Sequence, residues 1–150
     1  MIRPAKLEDI PAMVELGRLM HGESPLWSRL AYSPFKVGIV CERLIELDGG
    51  FAFVGERDGS IVGAMLGVAE EHWMSNDKVA TELALFVESS SRGALLAARL
   101  VSRFVVWAED EGARLTVAGV STGVEPERTA QFYERFGFSR NGAIGLERVM

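Results

Sequence analysis

The chain reads as a single α/β domain: a mixed, mostly antiparallel sheet of six to seven strands flanked by about four helices, with one central parallel crossover. Three observations lead there. Apolar residues recur at helical spacing in separate segments along the chain. Three consecutive strand-like runs are interrupted only by Asp58-Gly59 and Asn76-Asp77, which fits antiparallel neighbours. A helix-length segment then separates "TELALFV" from "RLTVAGV", and two strands joined in that way lie parallel through a right-handed crossover. With 150 residues, 48% hydrophobic and 25% charged, the chain has enough apolar material for one core and too little length for two domains.

The elements follow in order. "MIRPA" reads as a short edge strand. Asp9 before Ile10-Pro11 starts a helix carrying Ile10, Met13, Val14 and Leu19. "HGESPLWSRLAYSPF" breaks the pattern with two prolines and small polar residues, a long connection of the kind that shapes binding sites. Ser33-Pro34 then caps a second helix with Val37, Val40, Cys41, Leu44 and Ile45 on one face, closed by Gly49-Gly50. "FAFVGER" and "SIVGAMLGVAEE" form a hairpin about Asp58-Gly59, and "VATELALFV" is the next strand. The third helix turns Leu96, Leu100, Val101, Phe104, Val105 and Ala108 inward and ends at Gly112. After the strand "RLTVAGV", a helix runs from Pro126 to Gly137, and Asn141-Gly142 should turn the tail into a last short strand.

Charge and cysteine content narrow the function. A net charge of -5 without any basic cluster argues against nucleic acid as a partner. The single cysteine, Cys41, cannot form an internal disulfide, sits among apolar neighbours as a small core residue, and points to the cytoplasm. No signal-peptide pattern opens the chain and no apolar run is long enough for a bilayer, so no membrane role is expected. The two histidines lie far apart, without metal-ligand spacing, and no metal is proposed.

The chemistry-bearing stretch is "ELALFVESSSRGALLAARLV". A strand that passes through an Arg/Gly loop into a helix start collects free backbone N–H groups and positive charge, which suits an anion; a plain strand-to-helix connection is the alternative. The crossover brings this loop and the loop after Val120 to the same end of the sheet, where ligands of open α/β sheets gather. Alternation along the strand sets Glu82, Ala84 and Phe86 on one face and Thr81, Leu83, Leu85 and Val87 on the other.

This stretch, the late "AQFYERFGF" and the element order together resemble the GNAT superfamily of acyl-CoA-dependent N-acyltransferases, from Ile2 almost to Met150. The resemblance implies a GNAT-like sheet and acetyl-CoA as acyl donor. It also implies transfer of acetyl to a primary amine on a small molecule or protein, by direct attack on the thioester. It places the pyrophosphate at Arg92, Gly93, Ala94, Leu95 and Ala97, and the pantetheine arm along Leu85, Phe86 and Val87, where amides can pair with a free strand edge. It makes Tyr133 the acid for the leaving thiolate and Glu82 the base for the amine. Two positions depart from the family pattern: Leu95 stands where a central glycine is usual, and Pro126 where many relatives carry an asparagine.

Each assignment has a competitor. Glu82 reads equally as a solvent-facing residue on a half-buried strand, and Tyr133 as an amphipathic tyrosine at the core rim. His72, Trp73 and Trp27 lie in loops that would meet the acceptor, although a loop histidine beside an aromatic is commonly plain surface. The two departures keep open a catalytically degenerate relative that binds acyl-CoA or a partner protein. A structural dimer without cofactor is the third alternative, since edge strands leave room for a homodimer.

Overall fold

The computed structural model describes residues 1–92, 95–148 and 150. Five strands form one sheet in the order β1-β2-β3-β4-β5: β1 (Ile2–Pro4), β2 (Gly50–Arg57), β3 (Ser60–Glu71), β4 (Lys78–Val87) and β5 (Leu115–Val117). The first four are antiparallel in sequence, and β4 and β5 are parallel. Helices α1 (Ile10–Glu23) and α2 (Pro34–Glu46) cover one face, α3 (Leu95–Asp110) covers the other, and α4 (Pro126–Glu134) follows β5.

Local chemistry accounts for most of these boundaries. The Ser33 hydroxyl accepts from the Lys36 N–H at 3.3 Å and starts α2 with Pro34 in its first turn. Asp58 and Gly59 both take positive φ, the geometry that closes a two-residue hairpin with the sheet's own twist. Asp9 does not cap α1 with its side chain. Its carboxylate instead accepts from Arg3 at 2.7 Å and from the Lys6 N–H at 2.7 Å, while Arg3 also meets Glu56 at 2.6 Å, so β1, the start of α1 and β2 are tied through one guanidinium.

Two cores lie on the two faces of the sheet. Phe51, Met65, Ala69, Ala80, Leu100, Val101, Phe104 and Tyr133 form one, beneath α3 and beside α4. Met13, Cys41, Leu44, Ala52 and Val54 form the other, beneath α1 and α2. Cross-strand partners share a face, so pairing register says which core each β4 residue joins.

That register carries an irregularity. Leu66 pairs with Ala84 but Gly67 pairs with Glu82, leaving Leu83 as an extra residue without an opposite number in β3. Ala84 and Phe86 therefore lie beside Leu66 and Ala64 on the α1/α2 face, and Leu85 beside Met65 on the α3 face. Before the bulge the sense is reversed: Ala80 belongs to the α3 core, and Glu82 follows it on that face. Strict alternation would have grouped Glu82 with Ala84 and Phe86, and the bulge separates them.

Among the described residues the expected six to seven strands are corrected to five. Residues 138–148 contain no strand, and Ile144 and Leu146 are 83% and 95% exposed. β5 is three residues long, too short an edge to hold a further strand firmly, and the tail carries Gly142 and Gly145 but few β-formers. The Asn141-Gly142 turn itself forms, with Asn141 Oδ1 accepting from the Ala143 N–H at 3.0 Å and Gly142 at positive φ. Among the described residues no helix is long and apolar enough to cross a membrane.

Gly67 sits against the bulge with no room for a side chain: a Cβ there would lie 2.6 Å from the Phe104 ring and 3.0 Å from the Thr81 carbonyl oxygen. Gly67→Ala is expected to lower unfolding free energy by about 1–3 kcal/mol in urea titrations, as overpacked sites do. A variant as stable as the parent would contradict this packing.

Candidate active site

β4 and β5 pair only from Val79↔Leu115 to Thr81↔Val117. Beyond that point they diverge, and a cavity of about 490 Å³ opens between Glu82–Val87 and Gly119–Thr122. Among the described residues the edge of β4 facing β5 has no partner strand there, so that, apart from the Val87 carbonyl, which accepts from Arg92, its backbone groups remain available to a ligand.

Glu82 and Tyr133 come together in this cavity. The bulge directs Glu82 toward α4, and its Oε2 accepts from the Gly119 N–H at 3.2 Å. Burial pushes its carboxyl up to about 7, with the Gly119 hydrogen bond pulling only partly the other way. Tyr133 is 5% exposed, its ring edge-on to Phe132 and Phe138. Burial, and secondarily the charge of Glu82, raises its hydroxyl well above the usual tyrosine range, so it holds its proton throughout the neutral region.

Arg92 stands at the mouth. Its Nε donates to the Val87 carbonyl at 2.8 Å, one Nη donates to Glu23 at 2.6 Å, and the guanidinium lies over the Phe86 ring at 5.1 Å. Leu85, Phe86 and Val87 line the same cavity. The preceding Ser89–Ser91 turn is held by Glu88, whose carboxylate accepts from Ser90 and Ser91 at 2.8 and 3.2 Å. Gly93 and Ala94 lie outside the described residues. Leu95 begins α3 with its side chain 68% exposed, pointing away from the core that takes Leu96, and Ala97 is half-buried.

The three loop residues expected near the acceptor part company. Trp27 lines the cavity. His72 and Trp73 occupy the β3–β4 turn at the opposite end of β4 from Arg92, where Trp73 is 86% exposed and His72 Nδ1 accepts from the Met74 N–H at 3.3 Å.

Other residues shape the site through contacts that the sequence does not predict. Ser24, fully buried, donates from its hydroxyl to the Thr122 carbonyl at 2.5 Å and accepts from the Trp27 N–H at 3.0 Å. Leu26 and Pro25 close over Gly123, whose missing Cβ would meet Leu26 at 3.2 Å. Together they fasten the α1–α2 connection to the loop after β5, across the cavity. Glu23 carries the counter-charge of Arg92. Partners so distant in sequence leave no periodic signal.

Comparison with known proteins adds the following. Residues 48–140 match the family profile described as acetyltransferase (GNAT) domain. No curated protein matches the sequence. Among solved structures, a transcriptional regulator from Bacillus halodurans C-125 superposes with a TM-score of 0.77 at 20% identity, covering 100% of this chain and 99% of that one. An acetyltransferase from Trypanosoma brucei gives 0.73 at 19% identity over 99% of both chains. Glucosamine-6-phosphate N-acetyltransferase from Arabidopsis thaliana gives 0.74 at 21% identity, covering 99% and 97%. At these identities the likeness concerns the fold.

Glu82 generates a pH prediction. Its carboxyl ionises near 7 in the folded chain and near the ordinary 4.5 in the unfolded one, so the folded state keeps a proton that the unfolded state loses. Stability on this account falls as pH rises through that window. Glu82→Gln removes the effect: its thermal midpoint is expected to gain on the parent between about pH 4 and about pH 8. Parallel pH profiles for the two proteins would contradict the buried carboxyl.

Proposed function

Because the chain belongs to the GNAT acetyltransferase family, we propose that it transfers the acetyl group of acetyl-CoA to a primary amine at the cavity between β4 and β5. The observation that carries the proposal is the convergence there of a proton acceptor with its carboxyl pushed up to about 7, Glu82, and a proton donor, Tyr133, beside an unpaired strand edge.

The residues present fit the coenzyme. Leu85–Val87 offer backbone groups of the kind that pair with amides, Arg92 offers a guanidinium for a pyrophosphate, and the start of the 16-residue helix α3 adds free N–H groups and a favourable dipole. In this reading Arg92 exchanges part of its contact with Glu23 for phosphate oxygens. Acetyl-CoA, when bound, supplies a thioester reactive toward amines.

The chain's own groups then manage protons. A primary amine is mostly protonated near neutrality, and a carboxyl tuned to about 7 accepts its proton more effectively than an ordinary glutamate while still ionising in the working range. β4 backbone N–H groups at the open edge polarise the carbonyl under attack. Tyr133, kept protonated by burial, donates to the departing sulfur and is recharged by solvent or by the proton taken up at Glu82. The overall exchange releases one proton per acetyl group moved. A reducing cytoplasm suits both the free thiol product and the buried Cys41.

A second reading, a relative that binds acyl-CoA without turnover, draws on exposed Leu95 at the start of α3 and on Arg92 already paired with Glu23. Turnover separates the two. With acetyl-CoA and a panel of amines, thiol release is expected from the parent, and Tyr133→Phe is expected to lower kcat about a hundredfold with CoA affinity nearly unchanged. Equal kcat in that variant would remove Tyr133 from the mechanism, and binding without thiol release in the parent would favour the second reading.

A further inference from the structure

A second cavity of about 440 Å³ lies on the α1/α2 face of the sheet and meets the first where Met20, Trp27, Leu83, Ala84, Phe86 and Thr122 line both. The join falls at the β4 bulge. The two cavities differ sharply in chemistry. The first holds three carboxylates, of which Glu23 is paired with Arg92 at 2.6 Å and Glu125 with Arg128 at 3.5 Å, so that Glu82 is the one without a cationic partner among the described residues. Among the described residues the second is lined by none, and its one charged residue, Lys36, is exposed. Its walls are aliphatic and aromatic, including His21 and Tyr32 with ring centroids 5.3 Å apart.

From this we infer that the acceptor is a primary amine carried on an apolar, preferably aromatic, body. The amine end lies beside Glu82, and the body passes the bulge into the second cavity. The inference rests on the acetyl-transfer reading for the direction of the amine, and on the two linings for the rest.

Charge distribution supports it. A polycation such as a polyamine or aminosugar antibiotic spreads ammonium groups along its length and needs a carboxylate for each; the second cavity offers a lysine instead. An apolar body desolvates there without leaving charges unpaired, and a volume of about 440 Å³ is in the range of small-molecule sites. One polar group on the body is also accommodated. His21 Nε2 is buried without a hydrogen-bond partner among the described residues, and a donor or acceptor on the ligand would complete it with a small shift of the ring.

The alternative occupant is a long acyl chain on the coenzyme. The cavity's exposed apolar rim, Trp27, Leu30, Val40 and Leu83, favours the amine. Such a rim admits a molecule arriving by itself, whereas an acyl chain arrives tethered past Arg92.

The test is calorimetric titration of the CoA-bound protein with 2-phenylethylamine, spermidine and glucosamine, needing no turnover. Phenylethylamine is expected to bind at least about tenfold tighter than the other two. Leu30→Asn with Val40→Asn, both at exposed rim positions, should weaken it about fivefold while leaving the thermal midpoint and spermidine binding unchanged. Tighter or equal binding of spermidine or glucosamine, or indifference to the paired substitution, overturns the inference. So does displacement of phenylethylamine by octanoyl-CoA but not by acetyl-CoA, which would give the cavity to an acyl chain. Selective phenylethylamine binding without thiol release from acetyl-CoA would leave this assignment standing and remove the acetyl-transfer reading instead.

Discussion

One unpaired residue in a strand governs the site. Leu83 interrupts the ladder between β3 and β4, and everything beyond it is turned over: Glu82 goes to the α3/α4 face, Ala84 and Phe86 to the α1/α2 face. Without the bulge, Glu82 and the Phe86 platform beneath Arg92 would share one side of the sheet. With it, a single strand presents a carboxyl to one cavity and an apolar wall to the other, and the two cavities meet at the irregularity itself. Bulges increase local twist, and the loss of β4–β5 pairing after Thr81 and Val117 begins just where this one lies. Gly67, opposite Glu82, leaves space for Phe104 to pack directly under the bend.

Electrostatics follow from that placement. Glu82 is held in a poorly solvated position by strand geometry, with a single backbone N–H as partial compensation. The chain bears that unfavourable burial because the surrounding packing over-determines it, which is how strained or mismatched groups persist at functional sites. Arg92, by contrast, is well satisfied, by the Val87 carbonyl, Glu23 and the Phe86 ring. On the proposed reading, a coenzyme phosphate would compete with Glu23 for this partly exposed guanidinium, where ion pairing is weak enough to exchange. The Ser24–Thr122 contact spans the opening and makes the α1–α2 connection part of the site.

Much of the architecture was legible in the sequence because it rests on local chemistry. Asp58-Gly59, Ser33-Pro34, Pro126 and the apolar stripe of α3 each specify their own element, and each forms as read. The bulge was not legible, since "TELALFV" alternates without interruption and nothing in it marks Leu83 as the residue left over. Its consequence, the parting of Glu82 from Ala84, depends on register with β3, which only tertiary packing decides. The tail misled in the opposite sense. Asn141-Gly142 is a sound turn signal, and the turn forms, but a turn makes a strand only when an edge is there to receive it, and β5 is too short. The pairing of Tyr133 with Glu82 in one cavity was reachable through the GNAT resemblance; the Glu23–Arg92 and Ser24–Thr122 contacts were not, because each joins partners remote in sequence.

The most direct measurement is the thermal midpoint with acetyl-CoA, CoA and ATP in turn. If the diverging strands and Arg92 form a coenzyme site, acetyl-CoA and CoA at about a hundred times their dissociation constants stabilise the fold by roughly 2.7 kcal/mol, a rise of several degrees, while ATP does little. No rise with either coenzyme at saturation would contradict the account at its centre, because the cavity between β4 and β5 would then not receive the molecule on which every later step depends.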